Sequence, residues 1–165
     1  MKAKLTSALL GLALLGAASA ASAQNEQFIP ILSYRVGPYA AGGSGYFGGT
    51  IDYFNLINAT GGINGVKLLW EECETEYNAS RGVECYERLK KKNGGASTVE
   101  PLSTGIAYGL LDRVAQDKIP MTTFGYGSAN AADGRVFNWV FPVGTTYWNQ
   151  AAAMIQYLGQ KEGGL

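Results

Sequence analysis

The hydrophobic residues of this chain fall into short continuous runs that are separated by longer stretches with helical spacing. The first run, Phe28–Tyr34, is almost entirely apolar, as in strands that are buried on both faces of a parallel sheet. The same pattern predicts further strands at 66–70, 96–99, 118–124 and 136–141. Between these runs, apolar residues recur every three or four positions, which predicts amphipathic helices. We expect these helices over 47–58, over 78–92, after Thr104 and over 145–159.

Strands that alternate with helices indicate an α/β fold, here a three-layer Rossmann-like lobe with a mostly parallel sheet and right-handed crossovers. In such sheets a ligand binds beyond the carboxyl ends of the strands, where the strand order reverses. Three predicted exit loops should meet at that edge: Gly37–Gly49, 103–105 and 125–127. They are rich in Gly, Ser, Thr and Tyr, whose backbone amides, hydroxyls and rings suit a small polar ligand.

The segment Gly43–Gly48 matches the G-x-G-x-x-G fingerprint of dinucleotide-binding proteins. That fingerprint needs its first glycine at the end of the first strand, whereas Gly43 comes well after Tyr34. A nucleotide-dependent oxidoreductase is therefore the least favoured function. We expect instead that the glycines let residues 37–49 form a flat loop on the floor of a cleft.

The first 23 residues have the three parts of a secretory signal peptide. Lys2 and Lys4 form a positive start, Leu5–Ala18 is apolar, and Ala21-Ser22-Ala23 is an A-x-A cleavage site. The alternative is a short membrane anchor, but the apolar run is shorter than the ~20 residues that a membrane span needs. We expect residues 1–23 to be removed and the mature chain, from residue 24, to be exported.

Composition narrows the function further. Without Lys2 and Lys4, 11 basic residues remain against 13 acidic ones, and the resulting net charge of −2 is not that of a nucleic-acid-binding protein. The sequence has no histidine, which excludes the Ser-His-Asp triad and most zinc and copper sites. We therefore expect no enzyme activity, no metal and no cofactor.

Two local features leave alternatives open. The acidic run Glu71–Glu76 could take part in acid–base chemistry or bind a cation, although an acidic run after a strand is usually just solvated. Cys73 and Cys85 are the two cysteines of the sequence, and in an exported protein such a pair is expected to form a disulfide. The bond would close a short loop and stabilise the fold by roughly 3 kcal/mol. The alternative is a pair of separate buried thiols.

An ordered set of short motifs runs through the whole mature chain. The set consists of Gly37-Pro38-Tyr39-Ala40, Gly61-Gly62-Ile63-Asn64-Gly65, the acidic loop with its cysteine, Leu102-Ser103-Thr104-Gly105, Asp117-Lys118-Ile119-Pro120 leading to Gly125-Tyr126-Gly127, and Arg135-Val136-Phe137. Together with the signal peptide, it resembles the periplasmic solute-binding proteins of ABC importers, of the type I fold and of the branched-chain amino acid and amide group. The likeness rests on the order of the motifs, since no single one is highly specific.

The resemblance implies a ligand held between two α/β lobes that close like a hinge. By position, Ser103 or Thr104 would bind the ligand's carboxylate, together with the start of the helix that follows, which includes Gly105. A bond between Cys73 and Cys85 would be a variant of the family's better-known disulfide, which reaches from the acidic loop to the loop after the third strand.

The remaining site residues surround the ligand's other end. Gly125 and Gly127 would offer backbone groups to the polar end of the ligand, and Tyr46 and Tyr39 would face it from the glycine segment. Tyr126 is bulkier than the small residue expected there, which argues against a small aliphatic ligand. The residue Arg35 could pair with a carboxylate or lie in solvent.

By this resemblance the protein is an extracytoplasmic solute-binding component of an ABC importer. It would bind a small amino-acid-like, amide or carboxylate solute, deliver it to a membrane permease, reside in the periplasm and be a monomer when complete. Residues 24–165 would form the N-terminal lobe alone, with an exposed apolar face where the second lobe docks. The ligand-binding ectodomain of a sensor or receptor is the alternative function.

Overall fold

The computed structural model describes residues 25–123 and 127–163. The predicted signal peptide, Gly125 and Tyr126 therefore lie outside the described residues. No helix within the described part of the chain is both long enough and apolar enough to cross a membrane.

Strands and helices alternate along the chain as the hydrophobic pattern predicts. The strands are Glu26–Ser33 (β1), Lys67–Glu74 (β2), Met121–Thr123 (β3) and Val140–Pro142 (β4). The helices are Ala40–Ala59 (α1), Ala79–Leu89 (α2), Thr104–Asp117 (α3) and Tyr147–Lys161 (α4). Short 3-10 turns at Lys92–Gly94 and Ala129–Ala131 complete the order. The α/β class is confirmed.

The four named strands of the described chain pair in parallel. Strand β1 pairs with β2 from Glu26 opposite Lys67 to Ser33 opposite Glu74, and β3 pairs with β4. Residues 96–100, which contain the predicted third strand 96–99, connect the two pairs by isolated parallel bridges, Phe28 to Ala96, Ile31 to Glu100 and Val99 to Met121. The spatial order is therefore β2, β1, segment 96–100, β3, β4. It reverses direction between β1 and the segment, which defines the switch point of the sheet.

Two hydrophobic clusters cover the two faces of the sheet. On one face, α1 packs Phe47 over Ile31, Tyr34 and Leu102. On the other face, α2 and α3 pack over β1, and the buried residues of this larger cluster include Phe28, Leu32, Tyr86, Leu89, Val99, Ile106, Leu110, Val114 and Met121. Strand β1 thus contributes side chains to both clusters, as expected for a strand buried on both faces.

The predicted flat loop over the glycine segment is wrong. Helix α1 already begins at Ala40, so Gly42, Gly43, Gly45, Gly48 and Gly49 lie within a helix. Glycine lowers helix propensity by about 1 kcal/mol relative to alanine, but tertiary packing outweighs this cost here. Gly43 is buried against Tyr34, and a Cβ at position 43 would overlap the Tyr34 backbone and ring.

Other predicted boundaries also shift. Glu71–Glu74 form the end of β2 rather than a loop, because these residues continue the register opposite β1. The predicted strand over 136–141 is reduced to Val140–Pro142, because Val136 and Phe137 turn back to bond the carbonyl of Asp133. The last helix begins two residues later than predicted, after Thr146 accepts a hydrogen bond from the amide of Asn149.

The predicted disulfide between Cys73 and Cys85 is confirmed. Its Cα atoms are 5.8 Å apart, and the bond joins the end of β2 to the middle of α2. It closes the loop that contains Glu76 and Tyr77, both in the left-handed conformation with φ values of 51° and 60°. The bond therefore constrains a strained turn at the carboxyl edge of the sheet.

Candidate functional site

The switch point places the exits of β1, segment 96–100 and β3 at one edge of the sheet. The exit of β1 runs through Arg35 to Tyr39, and segment 96–100 runs through Pro101 and Leu102 into the start of α3. The described part of the β3 exit resumes at Gly127. The sequence predicts a site at this edge, and all predicted site residues that the structure describes lie on these exits or on the first two turns of α1 and α3.

The start of α3 presents two side-chain hydroxyls and the backbone amides of its first turn. Ser103 is the N-cap: it is 2% exposed, and its Oγ accepts a 3.3 Å hydrogen bond from the amide of Ile106. Thr104 is half-buried, and its hydroxyl lies 3.2 Å from that of Tyr147. Gly105 is exposed. Helix geometry leaves first-turn amides without intrahelical acceptors, and the helix dipole favours negative charge there. The arrangement suits an anionic or carbonyl group.

The two predicted aromatic residues lie on α1 rather than on a loop. Tyr46 is 36% exposed and meets Phe47 edge-on at 5.2 Å between ring centroids. Burial and, to a smaller extent, the nearby carboxylate of Glu100 raise the pKa of Tyr46, so its hydroxyl stays a hydrogen-bond donor. Tyr39 stands at the N-cap of α1, is 56% exposed, and its ring lies 4.3 Å from that of Tyr77.

The guanidinium of Arg35 is held by the protein itself. It forms an ion pair with Glu72 and donates a hydrogen bond to the carbonyl of Ser44 at 3.2 Å. The hydrogen bond to Glu72 raises the pKa of Arg35. The sequence left open whether Arg35 pairs with a carboxylate or lies in solvent. In the structure it pairs with a carboxylate, that of Glu72 on β2.

Gly127 fixes the start of α4 against the β3 exit. Its φ of +70° favours glycine, and a Cβ at this position would overlap the carbonyl of Thr145. The carbonyl of Gly127 accepts a 2.7 Å hydrogen bond from the amide of Tyr147. Gly127 was expected to offer backbone groups to the ligand, but its carbonyl already accepts this hydrogen bond from Tyr147.

A small cavity of about 10 Å³ opens beneath the start of α3, roughly the room for one water molecule. Its lining includes Ser103, Thr104, Tyr108 and Ser128. The hydroxyl of Tyr108 lies 2.7 Å from that of Ser128. Sequence reasoning missed Tyr108, Ser128, Tyr77 and Tyr147. Tyr108 follows Thr104 by one helical turn, and this spacing is the signal that could have identified it.

The acidic run is committed to structural contacts. Glu71 pairs with Lys92 at 2.6 Å and with Arg88 at 3.5 Å, and Glu72 pairs with Arg35. Within residues 25–123 and 127–163, no group of three or more His, Cys, Asp or Glu side chains could hold a metal ion. These pairs favour the reading of the run as part of the scaffold over the reading as acid–base chemistry.

A family model of periplasmic binding proteins matches residues 26–165. The chain belongs to the periplasmic binding protein family. Members of that family are ligand-binding proteins rather than enzymes, and the family implies a location outside the cytoplasm. The resemblance inferred from the ordered motifs, and the type I fold of its first lobe, are confirmed.

Solved structures agree with the family. A protein described as an ABC transporter permease from the Pseudomonas fluorescens group is 46% identical, with a TM-score of 0.77; the match covers 86% of this chain and 35% of that protein. A branched-chain amino acid ABC transporter protein from Thermus thermophilus with bound valine is 18% identical, with a TM-score of 0.75, over 84% of this chain and 36% of that one.

A fatty acid ABC transporter substrate-binding protein from Thermomonospora curvata is similar to the same degree. It is 19% identical, with a TM-score of 0.72, over 84% of this chain and 34% of that protein. The chain thus spans about a third of the length of each of these structures. No curated protein sequence matches the chain.

Proposed function

We propose that residues 24–165 are the first lobe of an extracytoplasmic solute-binding protein that serves an ABC importer. Residues 1–23 act as the signal peptide, and a second lobe completes the cleft. A lone first lobe supplies half of that cleft, so its own affinity for a solute is weak.

The observation that carries this proposal is the start of α3 at the switch point of the sheet. The hydroxyl of Ser103 caps α3 by accepting the amide of Ile106, so it stabilises the helix start and is not assigned to the solute. Thr104, one residue further on, is half-buried, and its hydroxyl lies 3.2 Å from that of Tyr147. A carboxylate or amide carbonyl would meet this hydroxyl together with the first-turn amides of Thr104 and Gly105. Gly125, Tyr126, Gly127 and Tyr46 complete the proposed site.

The solute is a small amino-acid-like, amide or carboxylate compound. Relatives of equally low identity carry valine in one case and are named for fatty acids in another, so their fold does not decide the solute. The α3 start favours a solute with a carboxylate or carbonyl group at one end. The proposed partner is a membrane permease, the proposed location is the periplasm, and the complete protein is a monomer.

The direct test is a ligand-dependent thermal shift on the complete two-lobe protein. The panel contains branched-chain amino acids, short amides, urea and aromatic acids. We expect at least one member to raise Tm in a concentration-dependent manner, because a ligand that binds only the folded state stabilises it. A panel without any shift would count against the proposal. A membrane span in the sequence that follows Leu165 would favour a sensor ectodomain instead of the importer protein.

The site assignment has its own test, Thr104→Val, applied with the solute that gives the shift. Loss of a hydrogen bond to a charged group costs roughly 1.5–3 kcal/mol, so affinity should fall about ten- to hundredfold. The matched control is Thr50→Val on α1, where the hydroxyl donates a hydrogen bond to the carbonyl of Tyr46, four residues earlier. Unchanged affinity in Thr104→Val would refute the role of Thr104.

A further inference from the structure

At the carboxyl edge of the sheet, left-handed backbones occur at three positions that are not glycine: Glu76, Tyr77 and Leu102, with φ of 51°, 60° and 48°. Such backbones persist only where the surroundings hold them in place. At Glu76 and at Leu102, a glutamate two residues earlier makes a contact that does so.

Glu100 holds Leu102. Its Oε1 accepts the amide of Leu102 at 2.7 Å, and its Oε2 accepts the hydroxyl of Thr122 on β3 at 2.7 Å. One carboxylate therefore ties the loop before α3 to the neighbouring strand. The side chain of Leu102 is at the same time buried beside Tyr34 and Phe47, which fixes the loop from its other side.

Glu74 holds Glu76 in the same way on the other side of the switch point. Its Oε1 accepts the amide of Glu76 at 2.7 Å, and its Oε2 accepts the amide of Arg35, in the exit of β1, at 2.8 Å. The hydroxyl of Ser33 lies 3.5 Å from the same Oε2. Again one carboxylate joins a left-handed residue to the exit of the adjacent strand.

We propose that Glu74 and Glu100 are positioning residues that lock the exits of β1, β2 and segment 96–100 into one preformed rim, with Glu100 joining the last of these to strand β3. The rim is the first-lobe half of the proposed solute site, so its use rests on the proposed function, whereas the locking does not. Glu100 determines where the amides of Thr104 and Gly105 point, because the loop it fixes leads directly into Ser103. Neither carboxylate needs to touch the solute.

The chemistry of the partners predicts different responses to Glu→Gln. An ionised carboxylate is an acceptor at both oxygens, whereas a glutamine amide has one acceptor oxygen and one NH₂ donor. At position 100, glutamine can accept from Leu102 and donate to the Thr122 hydroxyl, which is able to reverse its role. At position 74, the amides of Arg35 and Glu76 are both donors, so glutamine can satisfy only one of them.

The test is amide hydrogen exchange, resolved to single residues, on the complete solute-free protein. In Glu100→Ala the amide of Leu102 should exchange at least tenfold faster, and in Glu100→Gln it should stay within about threefold of the wild type. In Glu74→Gln at least one of the amides of Arg35 and Glu76 should exchange tenfold faster, and in Glu74→Ala both should. Amides of α2 serve as the internal reference and should not change.

Asp133→Ala is the matched control, since Asp133 also accepts the amide two residues later, that of Arg135 at 3.0 Å, but on an exposed turn. It should leave the rim amides unchanged. If a Glu→Ala variant fails to fold, the contrast between the two Glu→Gln variants decides. Equal behaviour of Glu74→Gln and Glu100→Gln, or faster exchange in α2 to the same extent as at the rim, overturns the proposal. No solute is used, so a failed thermal-shift panel does not affect the outcome.

Discussion

Gly43 is the point at which the first turn of α1 passes over the end of β1. A Cβ there would overlap Tyr34, while at Gly45, on the exposed side of the same turn, a Cβ would meet nothing within 4 Å. Glycine at position 43 allows the backbone to pack closely against Tyr34. The spacing of hydrophobic residues along the sequence does not reveal this contact. The run of glycines reads as a loop because composition does not show which of them touch a neighbour.

We expect Gly43→Ala to destabilise the protein by about 1–3 kcal/mol, the usual cost of overpacking. The control is Gly45→Ala, which should stabilise it by up to about 1 kcal/mol because alanine is the better helix former. The measurement is the free energy of unfolding from urea titrations. Similar effects in both variants would mean that the contact with Tyr34 is not what restricts position 43.

Asp117 carries a pH-dependent contribution to stability. Burial by itself raises the pKa of Asp117, but the hydrogen bonds from Lys90 at 2.7 Å and Tyr86 at 2.9 Å outweigh burial and lower it. A depressed pKa in the folded state means that the ionised carboxylate stabilises the fold above the ordinary range of aspartate, about pH 4, and that this contribution is lost as the pH falls further.

Accordingly, the wild type should be more stable than Asp117→Asn at pH 6, and the difference should shrink as the pH falls below about 4. Urea unfolding at several pH values measures this difference. Asp133→Asn is the control: the pKa of Asp133 is also lowered, by hydrogen bonds from Arg135, but the pair lies in solvent, where ion pairs contribute little. A pH-independent gap between wild type and Asp117→Asn would contradict the expectation.

At the scale of elements, the two helices α3 and α4 both begin with a hydroxyl cap but differ in what they bury. Ser103 caps α3, whose residues Ile106, Ala107, Leu110 and Val114 are buried. Thr146 caps α4, which has no buried residue. A helix that packs in the core unfolds together with the core, whereas a helix on the surface can fray alone.

We therefore expect Ser103→Ala to lower the free energy of unfolding by about 1 kcal/mol, while Thr146→Ala leaves it nearly unchanged and only frays α4. Urea unfolding followed by circular dichroism gives the first quantity, and hydrogen exchange in the first turn of α4 gives the second. An equal loss in both variants would show that α4 unfolds cooperatively with the sheet.

The order and type of the elements could be predicted from the sequence, because apolar runs and helical spacing reflect burial directly. The start of α1 and the irregular segment 96–100 could not. At the start of α1, Gly43 packs closely against Tyr34, and segment 96–100 is followed by the left-handed Leu102, whose amide donates to Glu100; the hydrophobic pattern shows neither contact. The position of Ser103 as a cap was predictable, but the contacts of Thr104 and Gly127 with Tyr147 join residues far apart in sequence.

At the scale of the whole molecule, the described sheet is covered on both faces, whereas helix α4 has no buried residue. The sheet with α1, α2 and α3 buries both of its faces. Helix α4 instead exposes apolar side chains, namely Trp148, Met154, Ile155, Tyr157 and Leu158. Exposed apolar surface of this kind is typical of an interaction site. That the second lobe covers it remains a prediction, consistent with the proposed two-lobe protein.

The position of Trp148 gives the protein a built-in optical probe. Its side chain is 76% exposed, and it is next to Tyr147, whose hydroxyl meets that of Thr104 at the proposed site. Trp70 and Trp139 are half-buried, so red-shifted emission should come mainly from Trp148. We expect closure of the two lobes over a solute to exclude water from the indole of Trp148. Titration with that solute should then shift the emission to shorter wavelength. The variant Trp148→Phe should abolish the shift without abolishing binding. Solute binding could then be followed without any added label.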